Sequence, residues 1–324
     1  MKTRLIIYPL LLIALFALWL QVTQPIFQVD NSVAVVSTDH QRLRTHVETI
    51  SQDFYPSDEG HPENLANLAA YIQSAFEYTG ADVTRHTFKV NGNNYSNVYA
   101  AFGPATQDRI IVGAHYDTVP GTPGADDNAS GIAGLIELAH LLKNTALPMR
   151  VELAAYTLEE PPYFYTPQMG SAQHVKLLQQ ENVKVRMMFA LEMIGYFSDE
   201  PDSQHLPMPF LSLLYPDEGN FIMVAGQFLD GANVRIIKRT MRGASPLPVY
   251  SINAPGNVLG MNLSDHVSFW NADLPAVMIT DTAFYRYDGY HSPTDTADRL
   301  DYERMAMVVE GVYAAVLAMA DEPD

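Results

Sequence analysis

The sequence predicts one α/β domain, a mainly parallel central β-sheet flanked by helices on both faces. Three observations predict it. Short β-rich runs alternate with segments of helical apolar period along most of the chain, the pattern of strands joined by crossover helices. The run Arg109–Ala114 carries Ile-Ile-Val-Gly-Ala, continuous apolar sequence of the kind found in strands buried on both faces. Imidazole- and carboxylate-bearing segments follow several strand ends, where open α/β sheets place their sites.

Taken in order, residues 41–50 and 64–78 read as helices. In the second, Leu65, Leu68, Ala69, Ile72 and Phe76 recur at helical spacing and Gly80 supplies the stop. Residues 83–90 and 95–102 alternate as strands, and Asn91-Gly92 between them signals a hairpin turn that adds antiparallel edge strands. After the strand at 109–114, residues Ile132, Leu135, Ile136, Ala139 and Leu142 line one helix face. The alternation continues with strands at 151–156, 187–191, 221–224 and 276–280 and helices at 170–180, 231–241 and 302–320. Residues 199–216 and 245–263 are expected to be long connections that rim the site. No repeat or low-complexity tract interrupts the pattern, so residues 41–324 are expected to form one domain.

The formal net charge is −18. Phosphate binding needs clustered Lys and Arg, so nucleic acid is not an expected partner. The acidic balance fits a solubilising surface and only weakly argues for attraction of cations. The chain contains no cysteine, which excludes disulfides, Cys nucleophiles and thiolate zinc sites and leaves any metal to N and O ligands. At the N-terminus, Lys2 and Arg4 precede the apolar run Leu5–Leu20, a signal-sequence pattern. Sixteen residues are short for a full span, although Val22, Pro25 and Ile26 extend the segment and Trp19 suits an interface. The expectation is an uncleaved signal anchor over residues 1–26, ahead of cleaved export, then a linker over 27–40. The domain is then expected on the extracytoplasmic side of a membrane.

Several segments carry candidate chemistry. His115 and Asp117 are two apart, so both face one side if the strand persists, and a carboxylate there can fix an imidazole tautomer. Such pairs are also common at turns. Asp126-Asp127-Asn128 can cap the following helix, as Ser130 can, but the bracketing Gly124 and Gly131 suggest a constrained backbone presenting a carboxylate able to bridge two cations. Glu159-Glu160, stopped by two prolines, is either a charged strand end or a proton acceptor beside a metal ligand. Glu192 follows a buried-looking strand, where a lone acid is costly unless paired or metal-bound. Ser264-Asp265-His266 reads more readily as a helix cap than as a metal site, with Asp265 and His266 left as supporting groups. His291 lies in a Tyr-rich polar loop. The other histidines (His40, His46, His61, His86, His140, His174 and His205) have no ligand-like context.

Together, Gly113–Asp117, Gly124–Gly131, Glu159-Glu160, Leu191–Gly195, Ser264–His266 and Tyr290–Thr296 resemble, in order, the M28 family of metallopeptidases, the co-catalytic zinc aminopeptidases. The resemblance implies a zinc-exopeptidase (phosphorylase/hydrolase-like) fold over about residues 40 to 320. It implies two Zn2+, other divalent metals remaining open, with Asp127 bridging them and a cis peptide before Asn128. His115 and Glu192 would complete one metal and Glu160 and His291 the other. Glu159 would be the general base for a zinc-activated water, and Asp117 would orient His115. The implied substrate is a peptide with a free N-terminus. One departure is Glu192, which stands where several well-studied members have Asp. Relatives with Leu-Glu-Met at that place make it an expected ligand, though the longer arm bears on metal geometry and occupancy. Alternatives are a single-zinc glutaminyl cyclase-like acyltransferase, a peptidase-fold binding domain without catalysis, and another amide hydrolase such as a carboxypeptidase. Tyr, Phe and Leu residues in 199–215 and 245–290 suggest tolerance of apolar substrate side chains, although aromatic-rich loops are as often plain packing.

Overall fold

The computed structural model describes residues 2–29, 33, 36–258 and 260–322. The expected linker at 27–40 lies partly outside the described residues. So do the side chains of residues 1–7, including Lys2 and Arg4.

The first element is helix α1 (Lys2–Thr23). Its residues Leu10 to Ile13 are each more than half exposed, while its end is tied down. The Thr23 carbonyl accepts from Lys238 Nζ and Ser251 Oγ, both at 2.8 Å, and Gln21 Nε2 donates to the Phe228 carbonyl at 2.6 Å. Among the described residues, no helix is long and apolar enough to cross a membrane. The spanning anchor expected at 1–26 is therefore not supported.

Helices α2 (His40–Glu48) and α3 (Pro62–Tyr78) follow. Asp39 caps α2 by accepting from the backbone N–H of Gln41 and Arg42 at 3.0 and 3.1 Å. Strands β1 (Asp82–Val90) and β2 (Asn93–Phe102) form the expected hairpin. Asn91 and Gly92 have φ of 49° and 89°, the left-handed pair that a two-residue turn of matching twist requires. Then come β3 (Asp108–His115), α4 (Gly131–Leu142), β4 (Arg150–Tyr156), α5 (Gly170–Gln180) and β5 (Lys184–Glu192). The remaining elements are β6 (Ile222–Gly226), α6 (Gly231–Ala244), β7 (Val249–Asn253), the short α7 (His266–Trp270), β8 (Ala276–Thr280) and α8 (Tyr302–Asp321).

Among the described residues, eight strands make one sheet in the order β1-β2-β4-β3-β5-β8-β6-β7. It is mixed. The central pairings β4/β3, β3/β5 and β5/β8 are parallel, the first hairpin is antiparallel, and β6 with its parallel neighbour β7 runs against β8. The expected connection over 245–263 in fact contains β7. Its residues alternate between buried and half-buried, because successive side chains point to opposite faces of the sheet and one face is covered less fully.

The core explains the apolar run in β3. Ile110, Val112 and Ala114 pack with residues of α4 and α8 on one face of the sheet, while Ile111 joins α5 and α7 residues such as Leu178 and Phe269 on the other. A strand covered twice has no polar face, so alternation vanishes from its sequence. The parallel trio β4, β3 and β5 therefore ends at one buried rim, where His115 and Glu192 are terminal residues of their strands.

Candidate metal centre

The centre is assembled from five segments at or beyond that rim. His115 ends β3 and is fully buried. Its Nδ1 donates to the main-chain carbonyl of Asp117 at 3.0 Å, which leaves the Nε2 lone pair facing inward. Asp117 had been expected to orient this ring. Its carboxylate lies 3.8 Å from Nδ1 and instead accepts the backbone N–H groups of Glu159 and Glu160, at 3.1 and 3.0 Å.

Asp127 sits in the tight turn Ala125–Ser130 ahead of α4, where Asp127 and Asn128 leave helical dihedrals. The peptide between them is cis. Gly124 has φ of 70°, and a Cβ there would lie 2.6 Å from the Asp127 carbonyl oxygen and 2.3 Å from Thr118 Cγ2, so only glycine fits. Asn128 anchors the turn to the end of β5. Its Nδ2 donates to the Leu191 carbonyl at 2.8 Å and its Oδ1 accepts from Gly131 and Met193 N–H.

Asp127 directs its two oxygens to two different groups. Oδ1 lies 3.3 Å from His115 Nε2, which is 3.4 Å from Glu192 Oε2. Oδ2 lies 3.2 Å from His291 Nε2, which is 3.3 Å from Glu160 Oε1. Each is thus a cluster of one imidazole and two carboxylates. For tetrahedral zinc with bonds of about 2.0–2.2 Å, neighbouring donors stand about 3.3–3.6 Å apart. The four imidazole–carboxylate spacings here, 3.2–3.4 Å, lie at the short end of that range or just below it. Buried His115 Nε2 and Asp127 Oδ1 have no hydrogen-bond partner, a costly condition that a cation removes. The donor chemistry and spacing therefore fit divalent metal, and three protein donors per set leave a position free, as in catalytic sites.

Glu159 stands beside these donors. Its carboxylate lies within 4.8 Å of ligand atoms of His115 and Glu160. Burial pushes its pKa well up, against the pull of His115 and with further repulsion from Glu160 and Glu192. Burial and then Asp127 raise Glu160 to about 7. Burial opposes the charge on His291, but Asp127 and Glu160 overcome it and raise its pKa to about 10. Backbone strain gathers here as well. Leu158, Met193 and His291, at or next to Glu159, Glu192 and His291, have φ of 58°, 53° and 50°, a region that non-glycine residues rarely hold.

The expected candidates thus converge, apart from Asp265 and His266, which enter neither donor set. Their neighbour Ser264 does reach the centre, donating to Glu192 Oε2 at 2.7 Å. His266 is buried, with Nε2 on the Met261 carbonyl at 2.8 Å. Burial lowers its pKa to about 4. The unfolded chain, with an ordinary value near 6.5, then binds more protons between about pH 6.5 and 4. Stability from this group is intact above that window and is lost as pH falls through it. The thermal midpoint of metal-free protein is expected to drop between pH 7 and 5 by more in the wild type than in His266→Gln. Equal drops would refute the assignment. Sequence reasoning gave no separate role to Asn128 or Asp295, although both lie in motifs it singled out. Asp281, which accepts Tyr196 N–H at 3.0 Å and faces Asp126, gave no local signal.

The open side of the centre is lined by Pro161, Phe164, Leu263 and Tyr290 as well as Asp127, Glu159, Glu160, Glu192 and His291. Glu192, Leu263 and Tyr290 also border a second, apolar pocket walled by Leu211, Phe221, Met223, Met261 and Met278. Residues from both expected connections contribute to it.

The family model described as Peptidase family M28 matches residues 97–316. The uncharacterized protein YfbL of Escherichia coli (strain K12) is 46% identical over 280 residues, spanning 84% of this chain and 86% of its own. Among solved structures, a zinc aminopeptidase from Bacillus subtilis superposes with a TM-score of 0.70 at 16% identity, covering 87% of this chain and 95% of that one. A glutaminyl cyclase from Fimbriiglobus ruber gives 0.67 at 20% identity, with 88% and 97% covered.

Proposed function

The chain belongs to peptidase family M28, and from that premise we propose that it is a zinc aminopeptidase, using two Zn2+ ions to release N-terminal residues from peptides. The observation that carries this reading is Asp127, whose two oxygens each face a separate imidazole–carboxylate pair. In this reading His115, Asp127 and Glu192 hold one metal, and Asp127, Glu160 and His291 hold the other. Bound there, the pair supplies Lewis acidity, lowering the pKa of a water and polarising the scissile carbonyl.

The chain's own residues do the rest. Glu159, held by its backbone N–H on Asp117, accepts the proton of the attacking water and returns it to the leaving amine. Ser264 and Asn128 keep the Glu192 carboxylate in place through contacts at 2.7 and 3.5 Å, restraining its longer arm. The apolar pocket beside Glu192 receives the side chain of the first residue, so large uncharged side chains are the expected substrates. Residues 41–324 are the peptidase domain. We keep residues 1–26 as its attachment to a membrane on the extracytoplasmic side, which the exposed apolar residues of α1 support.

A glutaminyl cyclase reading draws on the similar fold of that neighbour. Two intact donor sets favour the two-metal enzyme. The test is zinc per full-length chain, measured with hydrolysis of aminoacyl anilides and with pyroglutamate formation from an N-terminal glutaminyl peptide. Two zincs and chelator-sensitive release, faster for Leu, Met and Phe than for Asp, Lys or Gly, are expected. One zinc with cyclisation and no release would overturn the proposal.

A further inference from the structure

Two buried carboxylates outside the donor sets share one unusual arrangement. Asp117, two residues after His115, accepts the successive backbone N–H groups of Glu159 and Glu160. Asp295, four residues after His291, does the same for Asp126 and Asp127. Its Oδ1 accepts Asp126 N–H at 2.8 Å and its Oδ2 accepts Asp127 N–H at 3.1 Å. Each histidine-bearing segment thus sends a carboxylate into the main chain of an acid-bearing segment.

We propose that Asp295 is a positioning residue that sets the Asp127 carboxylate against His291. The inference rests on the two-metal reading above. Asp295 is fully buried, and its grip extends beyond the two carboxylate contacts. Its own carbonyl accepts Ala125 N–H at 3.4 Å, and Tyr287 Oη donates to its Oδ1 at 3.2 Å. One side chain and one carbonyl therefore hold three consecutive residues of the turn that presents Asp127. Each carboxylate oxygen accepts one of two successive backbone N–H groups, and paired hydrogen bonds fix orientation as well as distance. The turn and the His291 loop have no strand or helix in common, so these contacts join them directly. Metal donors tolerate misplacement of only about 0.2 Å, and groups that orient donors change metal affinity by about 10–100-fold when altered. The His291 set depends on this contact more than the His115 set, because Asn128 separately ties the turn to β5.

Asp295→Asn keeps the shape but presents an amide N–H2 to one of the two backbone N–H groups. Tyr287→Phe removes only the phenol hydroxyl, whose hydrogen is shared between Asp295 Oδ1 at 3.2 Å and the Thr294 carbonyl at 3.3 Å, and is the milder variant. Full-length wild type and both variants would be titrated with Co2+ against a competing chelator, with Co2+ absorption spectra recorded below the unfolding temperature. Wild type is expected to bind two ions. In Asp295→Asn one ion is expected to bind about 10–100-fold more weakly with an altered spectrum, and Tyr287→Phe to move the same way by less. A purely structural role would lower the thermal midpoint of metal-free protein and leave both affinities of the folded chain unchanged. That result, with two ions still bound by wild type, overturns the inference alone. Wild type that binds no ion overturns the functional reading and this inference together. If Asp295→Asn does not fold, unchanged affinities in Tyr287→Phe overturn the inference and a weakened second ion supports it.

Discussion

Glu159→Gln is expected to keep its metals and lose turnover, with kcat lower by about 10²–10⁴-fold. Glu159 belongs to neither cluster centred on Asp127, so its removal leaves both donor sets intact. Its carboxylate is nevertheless beside them, and burial together with the neighbouring acids raises its affinity for a proton. A cation bound beside it would oppose that shift and favour the ionised carboxylate, the form that accepts a proton. Glutamine preserves shape and the backbone N–H contact to Asp117 but cannot take up the proton. Zinc content per chain and kcat on a leucyl anilide check the two halves separately. Unchanged kcat would remove Glu159 from the general-base role. Lost zinc would make it a ligand instead.

Asp127→Ala is expected to empty both sets at once. Every other donor serves one set, whereas Asp127 lies 3.3 Å from His115 Nε2 through one oxygen and 3.2 Å from His291 Nε2 through the other. Without it each set retains only two donors, one imidazole and one carboxylate. Activity should fall to background and zinc should not copurify. A ligand that binds only the native state adds about 4 kcal/mol to its stability at a thousandfold excess over Kd. Chelator should therefore lower the thermal midpoint of wild type and leave that of Asp127→Ala unmoved. Retention of one zinc by Asp127→Ala would show that the two sets are independent and would refute the bridge.

These two expectations use residues already visible in the sequence, and the reason is local chemistry. Gly124-Ala-Asp-Asp-Asn-Ala-Ser-Gly131 announces a constrained turn with a carboxylate because only glycine takes φ of 70° beside the Asp127 carbonyl. Asn91-Gly92 announces its hairpin on the same grounds. The apolar run of β3 announces a strand covered on both faces, because each side of it meets helices. Residue types and short-range periods thus determined the alternating α/β class and most strands and helices, while the ordered motifs, through their resemblance to a family, singled out the residues proposed as donors.

Only the tertiary structure decided how these parts are placed. The antiparallel direction of β6 against β8 has no local signature, since a five-residue apolar strand reads the same in either direction. β7 hid within a Pro- and Gly-bearing stretch because it is only five residues long and alternates between buried and half-buried positions. The hold of Asp117 on Glu159 and Glu160 spans 42 and 43 residues of sequence, and that of Asp295 on Asp126 and Asp127 spans 169 and 168. Which oxygen of Asp127 faces which imidazole is likewise visible only in the folded chain. Spacing along a chain encodes the face of a helix or strand, but the meeting of distant loops is set by the packing of the sheet beneath them.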